Sequence, residues 1–342
     1  MKTVLVIGYG SIGKRHVSNI LKNTNFKIIL ISKRQKINPN DFKEISQNTL
    51  NSRLIISNSL KISLLENPEI AFITNETSKH ISIANKLAKK GIDIFIEKPL
   101  SNSLNEIKQF EKIINKNKLI SMIGCNFRFF PPFKEIKKLL HKKILGNIYS
   151  IQLENNSYLP DWHPYENYQK GYASKKNLGG GVTLTQIHEL DYLCWFFGLP
   201  VEVTTIMDKI SNLKVDVDDI SESILKFSNQ SIATIHLDFL QRPFHKSCKI
   251  IGSKGIIYWN SDDNKIKLYN SKKKKWTNHT ILNNYKLSSN KINKMYVDEL
   301  LYFLNCVKKR NQPMNNISEA KIILDVALSM KKSSLLKKSI RI

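Results

Sequence analysis

Two side chains stand in contexts suited to proton transfer. Lys98 closes the stretch Gly91–Leu100, GIDIFIEKPL, in which apolar residues at 92, 94 and 96 alternate as in a buried strand. Pro99 cannot donate to a ladder, so the strand must end there and carry Lys98 at its tip. His188 lies in GGGVTLTQIHELDYLCWFFG, residues 179–198, on a helix expected from about Val182 to Phe197 after a flexible run of glycines. Oxidising a secondary alcohol removes a hydride from carbon and a proton from oxygen. Imidazole, which titrates near neutrality, is the ordinary side chain best suited to accept that proton. Lys98 could share it or polarise the carbonyl. Plainer readings stand beside these: a solvated lysine at a strand exit, and a structural histidine with Asp191, three residues on, as its surface partner.

A hydride needs an acceptor, and the N-terminus has the pattern for one. The strand Thr3–Ile7 runs into Gly8-Tyr9-Gly10-Ser11-Ile12-Gly13, followed by a helix, Ile12–Asn23. Gly8 permits the tight turn, Gly10 lets a pyrophosphate approach, and Gly13 lets helix and strand pack closely. The free N–H groups at the helix start, at Ser11 and Ile12, would hold the anion. An NAD site normally has an acid near the end of the second strand. Here that strand ends Ser32-Lys33-Arg34, with no acid before Asp41. A hydroxyl and a guanidinium suit a 2′-phosphate, so NADP(H) is expected over NAD(H), with NAD(H) as the second option.

Two further groups suit a polar organic substrate. The segment Tyr158-Leu159-Pro160-Asp161-Trp162-His163-Pro164-Tyr165, with Tyr168 and Tyr172 beyond it, offers aromatic faces with polar tips, a match for sugars or simply a packing cluster. Trp162 is the candidate contact in that loop. Arg242, before Pro243, could hold a carboxylate or phosphate, and a structural salt bridge explains it equally well.

These residues need a scaffold, and the pattern of elements supplies two. Strand-like runs at Thr3–Ile7, Lys27–Ile31, Arg53–Ile56, Ile70–Ile73, Ile92–Ile96 and Leu119–Ile123 alternate with helix-like segments. That is the signature of a parallel sheet covered on both faces. After about residue 124 several strands follow one another, implying a mixed or antiparallel sheet, and two helices end the chain, the last opened by a Ser318 cap. The expected domains are 1–123, a dinucleotide-binding Rossmann domain, and 124–342, an α/β substrate and oligomerisation domain with an open-faced, largely antiparallel sheet, with packing of the last helix back on the first domain as an option.

Composition limits the function classes. The chain of 342 residues carries 54 Lys and Arg against 28 Asp and Glu, a formal charge of +26. The lysines are spread along it, and the run Lys272–Lys275 reads as a solvated turn, so no nucleic-acid module is indicated. The positive field would attract anionic small molecules. No stretch approaches the ~20 apolar residues of a membrane span, and no signal peptide is evident. Cys125, Cys194, Cys248 and Cys306 form no Cys-x-x-Cys pair, so neither a zinc site nor a disulfide framework is expected, and a cytoplasmic location fits.

GYGSIGKRH at the N-terminus, EKPL at 97–100, GCNFRF at 124–129 and the glycine, His and Asp element at 179–198 occur together and in order. In this the chain resembles, over essentially its whole length, the Gfo/Idh/MocA oxidoreductases, a family that includes glucose–fructose oxidoreductase and inositol dehydrogenase. The resemblance implies an active site between the two domains and assembly as a homodimer or homotetramer. It implies that Lys98 contacts substrate and nicotinamide, that His188 is the acid/base residue, and that Asp191, one turn beyond it, is a substrate-binding residue. It places Thr77, His80 and Glu97 with the cofactor-binding residues and Asn126 and Arg128 beside the substrate. Many members carry an Asp four residues before the histidine; here that position is Leu184. The aromatic loop looks like the variant found in relatives acting on sugars of surface polysaccharides. The implied activity is an NAD(P)-dependent dehydrogenase or reductase acting on a sugar-type small molecule. A non-catalytic NADP-binding regulator on the same fold, or a redox-neutral enzyme that recycles its nicotinamide, are the alternatives.

Overall fold

Six short apolar runs form one parallel sheet, its inner strands buried on both faces as helices on either side allow, while the edge run Leu54–Ser57 is only partly covered. In the computed structural model these are β1 (Thr3–Ile7), β2 (Lys27–Ile31), β3 (Leu54–Ser57), β4 (Ile70–Ile73), β5 (Asp93–Glu97) and β6 (Ser121–Gly124). Between them run α1 (Ser11–Asn23), α2 (Gln47–Arg53), α3 (Leu60–Ser63), α4 (His80–Ala88) and α5 (Ile107–Lys116). The strand order is β3-β2-β1-β4-β5-β6, so the winding reverses between β1 and β4. Ligands of open α/β sheets bind at such a switch point, beyond the carboxyl ends of the strands. The structure describes residues 2–33, 38–164, 166–279 and 289–342.

The second sheet is mixed. After α6 (Pro131–His141) come β7 (Ile148–Asn156), α7 (Val182–Thr185), α8 (His188–Phe197), β8 (Pro200–Asp208), β9 (Ile220–Phe227) and β10 (Ile232–Asp238). Next are β11 (His245–Gly252), β12 (Gly255–Asn260), β13 (Ile266–Asn270), β14 (Lys275–His279), α9 (Ser289–Lys309), α10 (Ile317–Leu336) and β15 (Ile340–Arg341). The nine strands lie in the order β14-β13-β12-β11-β7-β10-β9-β8-β15. β7 runs parallel to β10 and antiparallel to β11; the other pairings are antiparallel. Burial alternates along β9, with Ser221, Ser223, Leu225 and Phe227 inside and Glu222, Ile224 and Lys226 outside. One face therefore covers a core and the other is open. Lys272 to Lys274 form the exposed turn between β13 and β14.

The chain forms two compact units, Met1–Gly124 with Tyr296–Lys321, and Cys125–Met295 with Ile322–Ile342. Residues 296–321 thus belong with the first unit, whereas a single cut after residue 123 groups them with the second. The cause is specific packing. Phe303 is fully buried and meets Phe72 and Phe95 edge-on, each at 5.6 Å. Arg310 pairs with Asp93 at 2.5 Å, and Asn315 donates to the Ile123 carbonyl at 2.6 Å. The cap of α10 also differs from expectation. Asn316, not Ser318, accepts the N–H of Glu319, at 3.1 Å, while the Ser318 hydroxyl donates to Glu111 at 2.8 Å.

Candidate active site

The glycine-rich turn is built as dinucleotide chemistry requires. Gly8 has φ +115, and a Cβ there would lie 2.8 Å from the backbone of Thr74 and Asn75. A Cβ on Gly13 would lie 2.1 Å from the Gly8 carbonyl oxygen, so only glycine lets α1 sit this close to β1. Gly10 is the opposite case: a Cβ there would meet nothing within 4 Å. The open side of the turn is where a pyrophosphate would lie against the backbone. α1 starts at Ser11 with no acidic residue in its first turn and no side chain capping it, which leaves its N–H groups and partial positive charge for an anion. These residues fit a nicotinamide dinucleotide.

At the end of β2, Ser32 is buried and its N–H bonds the Ser57 carbonyl at 2.9 Å; Lys33 is exposed. Arg34 lies outside the described residues. Sequence reasoning missed the role of Asp41. Its carboxylate returns to the glycine-rich turn, accepting from the Tyr9 hydroxyl and from Lys14 at 2.9 Å. Nine residues lie between it and the strand end, so no strand-end rule would single it out.

Beyond β4, Thr77 is buried, and the buried His80 ring lies between the carbonyls of Pro99, 2.9 Å from Nδ1, and Asn75, 3.0 Å from Nε2. Burial, the largest influence, lowers the proton affinity of His80 against the pull of the two carbonyls. Its visible work is to tie the turn after β4 to the residue that follows Lys98. Glu97 is also turned inward: its carboxylate meets His16 of α1 at 2.6 Å, with both side chains buried. Lys98 is half-buried between buried Glu97 and buried Pro99. The strand thus carries Lys98 to its mouth, flanked by Glu97, which pairs with His16, and by Pro99, whose carbonyl meets His80.

In the second unit the expected continuous helix is broken. Gln186 departs from helical geometry, with φ −102 and ψ 32, and its buried amide donates to the Asp238 carbonyl at 3.0 Å. α8 therefore begins at His188. The preceding glycines are tightly packed rather than flexible: a Cβ on Gly180 would lie 2.3 Å from the Tyr172 carbonyl, and Gly181 has φ +102 against Asp218. His188 is half-buried and its ring meets Phe127 edge-on at 5.1 Å. Leu184 is buried and presents no carboxylate.

Asp191 is not a surface partner of His188. It is buried and receives Arg128 in a two-pronged pair, Nε to Oδ2 at 3.0 Å and Nη2 to Oδ1 at 2.9 Å. Asn126, also buried, opens the short 3-10 turn that carries Arg128. A second buried pair, Lys246–Glu189, escaped sequence reasoning because its members are 57 positions apart and nothing local marks them. Trp162 donates its indole N–H to Ser157 and stands edge-on to Phe239 at 5.4 Å. Arg242 is exposed, chelates Asp161 at 2.7 and 2.9 Å, and stacks 3.6 Å from the Tyr158 ring centre. That pair holds the Asp161 carboxyl below its usual range, the Arg242 hydrogen bond being the main cause. A shallow cavity of about 280 Å³ next to it is lined by Tyr158, Tyr168, Ser211, Asn212, Leu213 and Leu240. Among the described residues no group of three or more His, Cys, Asp or Glu could hold a metal ion, and no helix is long and apolar enough to cross a membrane.

A parallel sheet in this order, with a dinucleotide-type turn at its switch point, is that of a dinucleotide-binding Rossmann domain. Residues 2–125 match the family profile described as "Oxidoreductase family, NAD-binding Rossmann fold", and residues 133–258 match "GFO/IDH/MocA C-terminal domain". The chain belongs to the Gfo/Idh/MocA family of oxidoreductases. It is 24% identical over 353 aligned residues to "Myo-inositol 2-dehydrogenase" of Thermotoga maritima, covering 98% of this chain and 97% of that one. It is 28% identical to "Uncharacterized oxidoreductase YrbE" of Bacillus subtilis over 67% of this chain and 65% of that one, just under two thirds of that relative's length. The fold is shared with levoglucosan dehydrogenase solved in complex with NADH, at a TM-score of 0.84 and 15% identity over 99% and 98% of the two chains.

Proposed function

We propose that the protein is an NAD(P)-dependent dehydrogenase or reductase that interconverts a secondary hydroxyl and a ketone on a sugar or sugar derivative. The observation that carries this reading is the setting of His188: half-buried at the first position of α8, while Glu189 and Asp191 beside it are buried and paired. A histidine left accessible in such a surround is suited to taking a proton from substrate. The names of two relatives, a myo-inositol dehydrogenase and a levoglucosan dehydrogenase, support a polyol or sugar substrate. The aromatic faces of Tyr158 and Trp162 and the exposed Arg242 are consistent with a sugar that carries acidic groups, including those of surface polysaccharides.

The cofactor would lie along Gly8, Gly10, Ser11, Ile12 and Gly13, with Thr77 and His80 on the neighbouring turn. Bound there, the nicotinamide supplies the hydride acceptor in oxidation and the donor in reduction. His188 takes the hydroxyl proton as the carbonyl forms. Lys98, at the mouth of β5, is suited to donate to a substrate oxygen and stabilise its developing charge. Arg128 and Asp191, expected at the substrate, pair with each other, and that pair would tie the first turn of α8 to the 3-10 turn at Asn126. NADP(H) is favoured over NAD(H) by Ser32, Lys33 and Arg34. The competing NAD(H) reading has its own support in Asp41, the carboxylate brought back to the glycine-rich turn.

The test is a screen of NADP+ and NAD+ reduction against polyols, sugars, sugar acids and nucleotide sugars, with His188→Ala and Lys98→Ala beside the parent. For the substrate found, each variant should lose about 10²–10⁴-fold in kcat, the usual range for a proton-transfer group. Full activity in both variants would overturn the assignment.

A further inference from the structure

Glu189 and Lys246 form an ion pair at 0% and 2% side-chain exposure, and the chemistry above does not use it. The Glu189 carboxylate also accepts from Asn155 Nδ2 at 3.0 Å and from the Tyr192 hydroxyl at 3.5 Å. Asn155 and Lys246 face each other across the β7–β11 ladder, so Glu189 anchors the first turn of α8 to the middle of the sheet. The Lys246 ammonium is also 3.8 Å from the centre of the Phe127 ring, which meets the His188 ring at 5.1 Å and 61°. Ladder, ion pair, Phe127 and His188 make one unbroken run of contacts.

Such a pair is not an obvious source of stability. Desolvating two charges offsets most of their attraction, and apolar replacements of similar volume are often neutral or stabilising. What it supplies here is placement. The cation draws the electron-rich face of Phe127 toward itself, and the ring then limits how His188 can turn.

We infer that Lys246 and Glu189 are positioning residues that orient His188 through the Phe127 ring. This inference rests on the reading of His188 as the proton acceptor. Charged groups on the elements around His188 include Lys246 on β11, Glu189 and Asp191 on α8, Arg128 on the 3-10 turn, Lys137 on α6 and Asp238 on β10; on β7, Asn155 meets Glu189 while Glu154, its neighbour along the strand, pairs with His245. Arg128 and Asp191 balance each other and are untouched by the variants below.

The experiment combines NMR titration of the His188 imidazole, assigned by its loss in His188→Ala, with kcat and KM on the substrate from the screen. Lys246→Met should raise the His188 midpoint and Glu189→Gln should lower it, each by about half a pH unit, because each leaves one charge of opposite sign behind the ring. Lys246→Met should lower kcat about ten- to a hundredfold with KM changed less than threefold. Phe127→Leu keeps the ion pair and removes the ring, so it should give the same kcat loss in a folded protein even where Lys246→Met fails to fold. An unchanged His188 midpoint in folded Lys246→Met and Glu189→Gln, or an unchanged kcat in Phe127→Leu, would overturn the inference. Retained activity in His188→Ala, with the opposed NMR shifts present, would instead overturn the catalytic reading and leave the coupling standing.

Discussion

Asp41 sets the terms for testing cofactor choice. If Lys14 and Tyr9 keep its carboxylate occupied, the ribose end is left to Ser32, Lys33 and Arg34, and NADP+ should bind at least about tenfold more tightly than NAD+. Arg34→Ala should erase that margin in a fluorescence titration of both nucleotides; tighter NAD+ binding by the parent would reject the preference. His236 offers a second residue-level test. It bridges Glu222 and Asp238 on the open face of the sheet, and the Asp238 hydrogen bond, with that of Glu222, outweighs burial to hold its pKa at about 9. Its folded pKa lies above the ordinary value, so its stabilisation is complete below about pH 6.5 and is lost as pH rises through about 9. The melting temperature should therefore fall more between pH 6.5 and 9 in the parent than in His236→Gln, and equal slopes would contradict the linkage. Lys98 and His188 were legible because a strand tip before proline and a glycine–histidine element are local patterns. Arg128–Asp191, Lys246–Glu189 and Arg242–Asp161 were not, because which opposite charge each finds is decided by strands and loops far away in the chain.

Among the elements, the turn before α1 separates folding from binding. Gly13→Ala would drive a Cβ into the Gly8 carbonyl and should destabilise the protein by about 1–3 kcal/mol, as overpacking does. Gly10→Ala meets nothing in the protein, so its thermal unfolding should match the parent while cofactor affinity drops about tenfold or more. Differential scanning fluorimetry with and without nucleotide distinguishes the two; a Gly10→Ala protein that binds normally would remove the pyrophosphate from this position. The strands of the parallel sheet were readable from short apolar runs and most of the second sheet from apolar alternation, a local property, whereas the exposed β14 and the two-residue β15 have no such pattern, and β15 was missed. The break between α7 and α8 was hidden because the apolar run from Val182 to Phe197 is continuous; the cause, the bond from Gln186 to Asp238, is tertiary. The grouping of residues 296–321 with the first unit was hidden for the same reason, since helical periodicity does not say which sheet Phe303 will cover.

For the molecule as a whole, the open sheet face carries Ile206, Ile224 and Ile232 at 76%, 54% and 45% exposure. Apolar side chains in such a patch mark an interaction surface, and a second copy of the chain is the occupant proposed. Light scattering after size exclusion should report a dimer or tetramer, and Ile206→Lys with Ile224→Lys should shift it toward monomer. A monomeric parent at micromolar concentration would exclude that assembly. The central claim is hydride transfer between a sugar carbon and a nicotinamide, and label transfer tests it most directly. A substrate from the screen, deuterated at the reacting carbon, is incubated with oxidised cofactor in excess over enzyme. The account predicts deuterium in free reduced nicotinamide, one for each ketone formed. Product formed with the deuterium still on the sugar, or with no net reduction of cofactor, would contradict it.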